Sequence, residues 1–361
     1  MDVLEATKSY EWWMRERTTI VESHLRHKHQ QMKEDLFLFF RGTFYRWAQL
    51  WPEICPDLSN APRVPSSADL HVNSFGTWRD SEGRLCWGVD DFDESYPLPY
   101  THDLVRLAAS LKIVIESKDL TIKLKDGCEI FLSAYRDTLH QGGRPIVLAE
   151  NEQHLEKLGI EAIKPPKNFW EKLKQRPAIK HGLPSDAKQA FEKMLPEASL
   201  DYKVVLREAG MGSLGQQHFV AIANWCGGCI AREAKAMVPS AWAWIDSHKN
   251  SHSNSQSYYQ ETIKSAVRSH DPYQKIVGRW LMRRLSPDSN PVDITKLPGE
   301  KDEEMLLHAM GAEAANVHLG SKRQIGNVLK DLRRKKSNWL VSAAKQMAKA
   351  MSSEWHDYKK S

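Results

Sequence analysis

The chain has 361 residues, which is long enough for two domains or for two lobes that share a cleft. Its composition, 41% hydrophobic and 27% charged, is typical of a soluble globular protein, and no apolar run reaches the ~18 residues of a membrane span. The formal net charge of +5 suits phosphate-bearing ligands but is too small to indicate nucleic acid. The start lacks a secretory pattern, so a cytoplasmic location is predicted.

The first half of the chain is predicted to be mainly helical. A long surface helix is expected over residues 4–33, an aromatic segment at 36–47 leads into a second helix, and prolines indicate a loop over 52–67. A short buried strand at 85–89 precedes a buried helix at 101–112. Further helices are predicted from Asp126 onward and at residues 153–158, 169–173 and 185–194.

Near residue 200 the pattern changes to strands, which are predicted at residues 202–207, 219–223, 229–236 and 279–285. A polar segment at 250–257 precedes a helix at 258–268. A proline-containing loop at 286–298 leads to two helices, at 302–318 and 321–357. The predicted fold class is α+β, with a small β-rich lobe and a larger, mainly helical lobe. The predicted units are a helical extension, the large lobe, the small lobe and a closing helical segment, at residues 1–34, 35–198, 199–300 and 301–361.

The five cysteines do not indicate a disulfide framework, because their number is odd and the start lacks a secretory pattern. Cys226 and Cys229 have the spacing of a redox motif. However, strand-like runs on both sides predict a hairpin with a tight two-residue turn. A structural zinc would need two more ligands, which no second pair supplies.

Residues 210–215 have the GxGxxG spacing of a phosphate-binding loop. This motif is weak by itself, and an ordinary glycine-rich hairpin is the alternative. In a dinucleotide-binding fold a helix follows the loop, whereas in protein kinases the loop joins two antiparallel strands over the ATP phosphates. A strand follows here, which favours the kinase type. The residues predicted to contact phosphate are Gly210, Gly212, Ser213 and Gly215.

A kinase-type loop also needs a cation on the third strand, which holds phosphates, and an acid on the next helix. Arg232 and Lys235 both lie on the predicted third strand. Since successive residues face opposite sides of a strand, only one of them can face the nucleotide. Glu261 on the following helix is the candidate acid, although a solvated helix position is the commoner explanation for a single Glu.

Acids are concentrated in two short segments beside apolar strands. These segments contain Asp69, His71, Asn73 and Ser74, and then Asp90, Asp91 and Asp93. Mg²⁺ prefers hard oxygen ligands, and a hydroxyl nucleophile needs a carboxylate that accepts its proton. A loop-capping role is the commoner fate of a single Asp, but the joint pattern predicts a site for both chemistries.

This acid block resembles the catalytic and metal loops of aminoglycoside-phosphotransferase-like kinases, which carry Asp-Leu-His-x-x-Asn and then an Asp after an apolar strand. The resemblance implies that Asp69 is the catalytic base, that His71 is a structural member of the loop, and that Asp103 braces it. It implies ATP as cosubstrate and Mg²⁺ as metal. The implied metal ligands are Asp91, Asp93, Asn73 and Ser74.

The whole set of motifs resembles the uncharacterised bacterial family DUF2252. The shared blocks lie in the same order over residues 35–350 and include Phe39-Phe40-Arg41-Gly42, the acid block, Asp103-Leu104-Val105-Arg106 and the glycine loop. The resemblance implies a protein-kinase-like fold that is circularly permuted, because the catalytic loop precedes the glycine loop. The helix at 302–318 then corresponds to the one that ordinarily leads into a catalytic loop.

Four positions depart from the family pattern. Ser74 stands where an Asn ligand is expected, and Asn73 lies one place earlier. Ala68 and Asp90 replace a Gly and an Asn, and the third-strand Lys corresponds to Arg232. A hydroxyl is a weaker Mg²⁺ ligand than an amide oxygen, so these departures bear on metal binding.

The predicted function is ATP- and Mg²⁺-dependent phosphoryl transfer to a hydroxyl of a small-molecule acceptor. A nucleotide-binding pseudokinase and a nucleotidyl transferase that holds ATP reversed in the same cleft are the alternatives. Basic residues at 322–323 and 333–336 also permit nucleic-acid binding, but a solvated helix face explains them better.

Overall fold

The computed structural model describes residues 1–118, 120–151, 155–157, 163, 165–179, 181–208, 210–247, 255–297 and 299–360. The helices are α1 Val3–Arg15, α2 Glu22–Glu34, α3 Leu36–Gly42, α4 Phe44–Ile54, α5 Pro56–Ser59, α6 Tyr100–Lys118, α7 Leu124–Gln141, α8 Leu148–Asn151, α9 Pro166–Lys174, α10 Ser185–Met194, α11 Ala241–Ser247, α12 Ser255–Ser265, α13 Glu300–His318, α14 Lys322–Arg334 and α15 Trp339–Tyr358. The strands are β1 Arg63–Ser66, β2 Phe75–Arg79, β3 Leu85–Val89, β4 Tyr96–Pro99, β5 Ile146–Val147, β6 Tyr202–Leu206, β7 His218–Trp225, β8 Gly228–Ala236, β9 Lys275–Val277 and β10 Trp280–Leu285.

The predicted α+β class is confirmed, and the strands form three antiparallel sheets. The largest has the order β6-β7-β8-β10-β9, and the smaller ones have the orders β2-β3-β5 and β1-β4. Strands β7 and β8 form a hairpin around Cys226 and Gly227, whose φ angles are 47° and 80°. Positive φ at both central residues is the geometry of a tight two-residue hairpin turn, as predicted for this segment.

The core contacts show where three helices outside the main helical segments pack. Helix α1 buries Tyr10 and Trp13 in the main core. Helix α10 packs on one face of the five-stranded sheet, where Phe191 lies in a cluster with Phe219. Helix α9 packs on the opposite face through Leu173. Helices α9 and α10 therefore cover the two faces of the five-stranded sheet.

Two predicted long helices are each interrupted. The segment 4–33 forms α1 and α2, because the chain turns between them and the N–H of Val21 donates to the Gly215 carbonyl at 2.8 Å. The segment 321–357 likewise forms α14 and α15. Among the described helices, none is long and apolar enough to cross a bilayer.

The segment 52–67 is wrongly predicted as a loop. Helix α4 continues through Pro52, since burial of Trp47 and Trp51 outweighs the hydrogen bond that a proline cannot donate. Five short strands, β1, β2, β4, β5 and β9, are also absent from the sequence prediction, because so few residues carry little alternation. The helix predicted at 153–158 and the polar segment at 250–257 lie partly outside the described residues.

Helix α13 approaches α7 so closely at Gly311 that an added Cβ would lie 2.1 Å from the Phe131 carbonyl oxygen. Gly326 on α14 is exposed, and a Cβ there would meet no neighbouring atom within 4 Å. We expect Gly311→Ala to lower the free energy of unfolding by about 1–3 kcal/mol through overpacking. Gly326→Ala should raise it by about 0.5–1 kcal/mol, because Ala is the better helix former. Chemical denaturation compares the two, and equal stabilities would contradict this packing.

Candidate active site

The two acidic segments meet because of the register of β2 and β3. Phe75 at the start of β2 pairs with Val89 at the end of β3, so the loop that precedes β2 lies beside the loop that follows β3. The N–H of Asp90 donates to the Ser74 carbonyl at 3.0 Å and joins the loops directly. The tertiary structure therefore brings together Asp69 and Asp91, which the sequence analysis assigned to one site.

Asp69 is paired with a cation that the sequence analysis did not assign. Nε and Nη2 of Arg106 both contact Oδ1 of Asp69, at 2.7 and 2.6 Å. Arg106 is fully buried, and its guanidinium lies 3.8 Å from the centroid of the Phe40 ring. Burial raises the pKa of the Asp69 carboxyl to about 6, with Arg106 opposing the rise and nearby Asp91 adding to it.

Asp103 is buried and braces the start of the loop that carries Asp69. It accepts hydrogen bonds from the Ser66 hydroxyl at 2.6 Å and from the Ser67 N–H at 3.2 Å. Nε2 of His318, at the end of α13, lies 3.1 Å from Oδ2 of Asp103. Burial by itself raises the pKa of Asp103, but the neighbouring imidazoles of His102 and His318 outweigh it and hold the pKa well below its usual range. The carboxylate stays charged and positions the loop.

His71 and Ser74 form hydrogen bonds within the loop that carries Asp69. The Ser74 hydroxyl donates to the Asp69 carbonyl at 3.1 Å and accepts from the His71 N–H at 3.0 Å. This use of its hydroxyl speaks against Ser74 as a metal ligand. Burial, reinforced by Arg41 and Arg106, holds the pKa of His71 well below its usual range, so this ring is neutral. The Oδ1 atom of Asn73, by contrast, is buried without a hydrogen-bond partner among the described residues.

The third strand presents Lys235, not Arg232, to the acid block. Lys235 is buried and forms an ion pair with Asp93. Burial lowers the pKa of Lys235 to about 7, with Asp91 acting in the opposite direction. Arg232 lies on the other face, where its Nε donates to the Met194 carbonyl at 3.1 Å. Of the two candidate cations on this strand, Lys235 is therefore the one that faces the acid block.

Glu261 does not occupy the place predicted for it. It is exposed on α12, and Lys235 pairs instead with Asp93 on the loop after β3. Helix periodicity alone did not distinguish this solvated position from one that faces the sheet.

The glycine loop lies directly on Asp69. A Cβ at Gly212 would be 3.9 Å from Oδ2 of Asp69, and a Cβ at Gly210 would be 3.4 Å from Nη2 of Arg41. Lys28 on α2 donates to the Gly212 carbonyl at 3.3 Å. Residues Met211–Ser213 form a single 3₁₀ turn, and Ser213 is buried. Gly215 has a φ of 106°, a conformation that favours glycine, and packs on Leu25 of α2.

Three cations near Asp69 received no role from the sequence. Arg41 and Arg106 lie in the motif blocks quoted for the resemblance, and an arginine on the otherwise apolar face of a buried helix was a usable signal for Arg106. Lys28 gave no signal, because it lies in a helix rich in charged residues. The acid cluster thus has positive charge around it from three separate helices, α2, α3 and α6, with Lys28 and Arg106 buried and Arg41 partly buried.

No group of three or more His, Cys, Asp or Glu side chains in the described part of the chain is arranged to hold a metal ion. Mg²⁺ is commonly bound by one or two carboxylates together with substrate phosphates and water. The unpartnered Oδ1 of Asn73 and the carboxylates of Asp91 and Asp93 offer hard oxygen donors of this kind. These residues fit a magnesium ion that phosphates help to bind.

Comparison with known proteins confirms the resemblance for part of the chain. Residues 17–168 match the family DUF2252, described as an uncharacterized protein conserved in bacteria. The match includes the acid block and Asp103 but ends before the glycine loop. No curated protein and no solved structure gives a significant match.

Proposed function

We propose that this protein is an ATP- and Mg²⁺-dependent phosphotransferase with a permuted kinase-like arrangement, acting on a hydroxyl of a small molecule. The observation that carries the proposal is the convergence of three elements. The glycine loop between two antiparallel strands lies on Asp69, and Lys235 of the third strand is paired with Asp93. Kinases bring a glycine loop, a third-strand lysine and an aspartate base to one cleft in this way.

Asp69 is the proposed base. A carboxyl with a pKa of about 6 is ionised at neutral pH, yet it is basic enough to accept the proton of an acceptor hydroxyl in the transition state. Arg106 holds Oδ1 and leaves Oδ2 directed toward the glycine loop. Asp103 acts on this chemistry only by positioning the loop.

Lys235, Arg41 and the backbone N–H groups of the glycine loop are the proposed phosphate contacts. Asn73, Asp91 and Asp93 would hold Mg²⁺, which neutralises phosphate charge when bound. Since Gly212 lies against Asp69, phosphates can enter between them only if the loop lifts. That movement breaks the hydrogen bonds of Lys28 with Gly212 and of Val21 with Gly215.

The end of α13 supports the permuted arrangement. His318 reaches Asp103, and the Tyr135 hydroxyl lies 2.8 Å from its other ring nitrogen. In the proposed arrangement, α13 takes the place of the helix that ordinarily precedes a catalytic loop, because its last residue, His318, lies beside Asp103.

Nucleotide binding is tested with the matched pair Lys235→Met and Arg232→Met. ATP with Mg²⁺ should raise the melting temperature of the native chain and of Arg232→Met. Lys235→Met should bind about 10–100-fold more weakly, because it loses a charge-assisted contact. Titration calorimetry measures the affinities, and a metabolite screen for ATP consumption then identifies the acceptor. Equal binding by Lys235→Met and the native chain, or no binding at all, would refute the nucleotide site.

A further inference from the structure

A cavity with a charged lining lies beside the acid block. It has a volume of about 150 Å³ and lies between the five-stranded sheet and β2, with Asp90 in its wall. Its lining includes four arginines, Arg207, Arg268, Arg283 and Arg284. A space of this size exceeds what one water molecule needs, so it can accept a tetrahedral oxyanion.

Arg268 lines the cavity, and one of its N–H donors has no hydrogen-bond partner in the described part of the chain. Its guanidinium lies 4.3 Å from the Trp78 ring centroid and 4.9 Å from that of Phe92, and its Nη1 donates to the Val89 carbonyl at 2.8 Å. The side chain is more than nine-tenths buried, but its Nε has no hydrogen-bond partner. A buried donor without a partner is costly, which indicates an acceptor that enters the cavity.

The other arginines are held in place by a buried carboxylate. Arg207 contacts Oε1 of Glu233 at 2.6 Å, and Arg283 contacts Oε2 at 2.7 Å. Arg284 donates to the Arg79 carbonyl at 2.6 Å and lies 3.5 Å from Asp271. Three guanidinium groups are therefore fixed in orientation before any ligand arrives.

The charged residues that line the cavity are mainly cationic, since four arginines stand against the carboxylates of Asp90 and Asp271. Glu233, which pairs with Arg283, and Glu313, which lies near Arg268, offset part of this positive charge from outside the lining. Glu233 and Arg283 add further charge to this part of the sheet. Pockets that bind flat organic groups are mostly apolar, so this charged lining favours a small charged ligand.

We propose that this arginine-lined cavity binds a phosphate group. Planar guanidinium groups recognise phosphate through paired hydrogen bonds, and Arg268 supplies the free donor. The group belongs either to a phosphorylated acceptor or to the polyphosphate end of the nucleotide. The proposal does not depend on phosphoryl transfer by this protein.

The probe is inorganic pyrophosphate, titrated calorimetrically into the full chain in a phosphate-free buffer. Arg268→Gln and Arg284→Gln should each weaken binding by about 10-fold or more, since each loses a charge-assisted hydrogen bond. Arg279→Gln is the control, because Arg279 lies in the turn between β9 and β10 of the same sheet and pairs with Asp186 outside the cavity. Arg284 is partly exposed, so its variant remains informative if Arg268→Gln fails to fold.

Lys235→Met separates this site from the nucleotide site, because it should weaken ATP binding and leave pyrophosphate binding unchanged. Displacement of pyrophosphate by ATP would assign the cavity to the nucleotide's own phosphates, and simultaneous binding would assign it to the acceptor. Either result supports a phosphate site. Absence of pyrophosphate binding, or unchanged binding by both Arg268→Gln and Arg284→Gln, would overturn it.

Discussion

Asp69→Asn is expected to reduce turnover of ATP with its acceptor by about 10²–10⁴-fold, the usual contribution of a general base. Asn keeps an oxygen acceptor for Arg106 and nearly the same shape, so the fold should be retained, at a lower free energy of unfolding because the buried Arg106 loses its counter-charge. Asp57→Asn, at an exposed position on α5, is the control and should behave like the native chain. Circular dichroism and the melting temperature verify folding.

The pH dependence of turnover gives an independent readout of the same residue. A base works only when it is ionised, and burial raises the pKa of Asp69 to about 6. Turnover of the native chain should therefore fall as the pH is lowered through about 6 and should be level above it. Undiminished turnover by Asp69→Asn would exclude Asp69 as the base.

Arg106→Met is expected to lower the free energy of unfolding by about 3–5 kcal/mol, the usual cost of removing one partner of a buried ion pair. The variant leaves the Asp69 carboxyl buried without its cation and removes the hydrogen bond from Nη2 to the Phe40 carbonyl. Removing a nearby positive charge also raises the pKa of a carboxyl. The pH at which turnover is half-maximal should consequently shift upward, so that activity lost at neutral pH returns at higher pH.

Arg46→Met is the matched control for this second effect. Arg46 is also buried and forms a two-fold contact with Glu354, at 2.8 Å for both hydrogen bonds, away from the acid block. Arg46→Met should lower the free energy of unfolding but leave the pH dependence of turnover unchanged. Urea denaturation and pH–rate profiles compare the variants. If Arg106→Met and Arg46→Met have the same profile, the pairing of Arg106 with Asp69 has no influence on the chemistry.

Much of the local structure could be predicted because short-range patterns encode it. Alternation of apolar residues predicted β6, β7 and β8, and the glycine spacing between two of these strands predicted a loop rather than a helix start. Asp90, Asp91 and Asp93 were found for the same reason, because they follow the predicted apolar strand β3, whereas Asp69 was found from the spacing of the acid block itself. The sequence also shows directly that the acid block precedes the glycine loop along the chain.

The facing of side chains could not be predicted in this way. Alternation showed that Arg232 and Lys235 point to opposite sides of β8, but which side meets the acid block depends on how α10 covers the sheet. Whether Asn73 or Ser74 keeps a free oxygen depends on the turn of a single loop, in which the Ser74 hydroxyl bonds the Asp69 carbonyl.

The sequence by itself determined the α+β class, the resemblance to DUF2252 and the identity of the acid block, since each of these is written in residues that are close along the chain. Only the tertiary structure decided that Lys28, Arg41 and Arg106 surround Asp69 and that four arginines line one cavity. Those contacts join residues far apart in sequence, and they exist only after packing has buried charges that must then be paired.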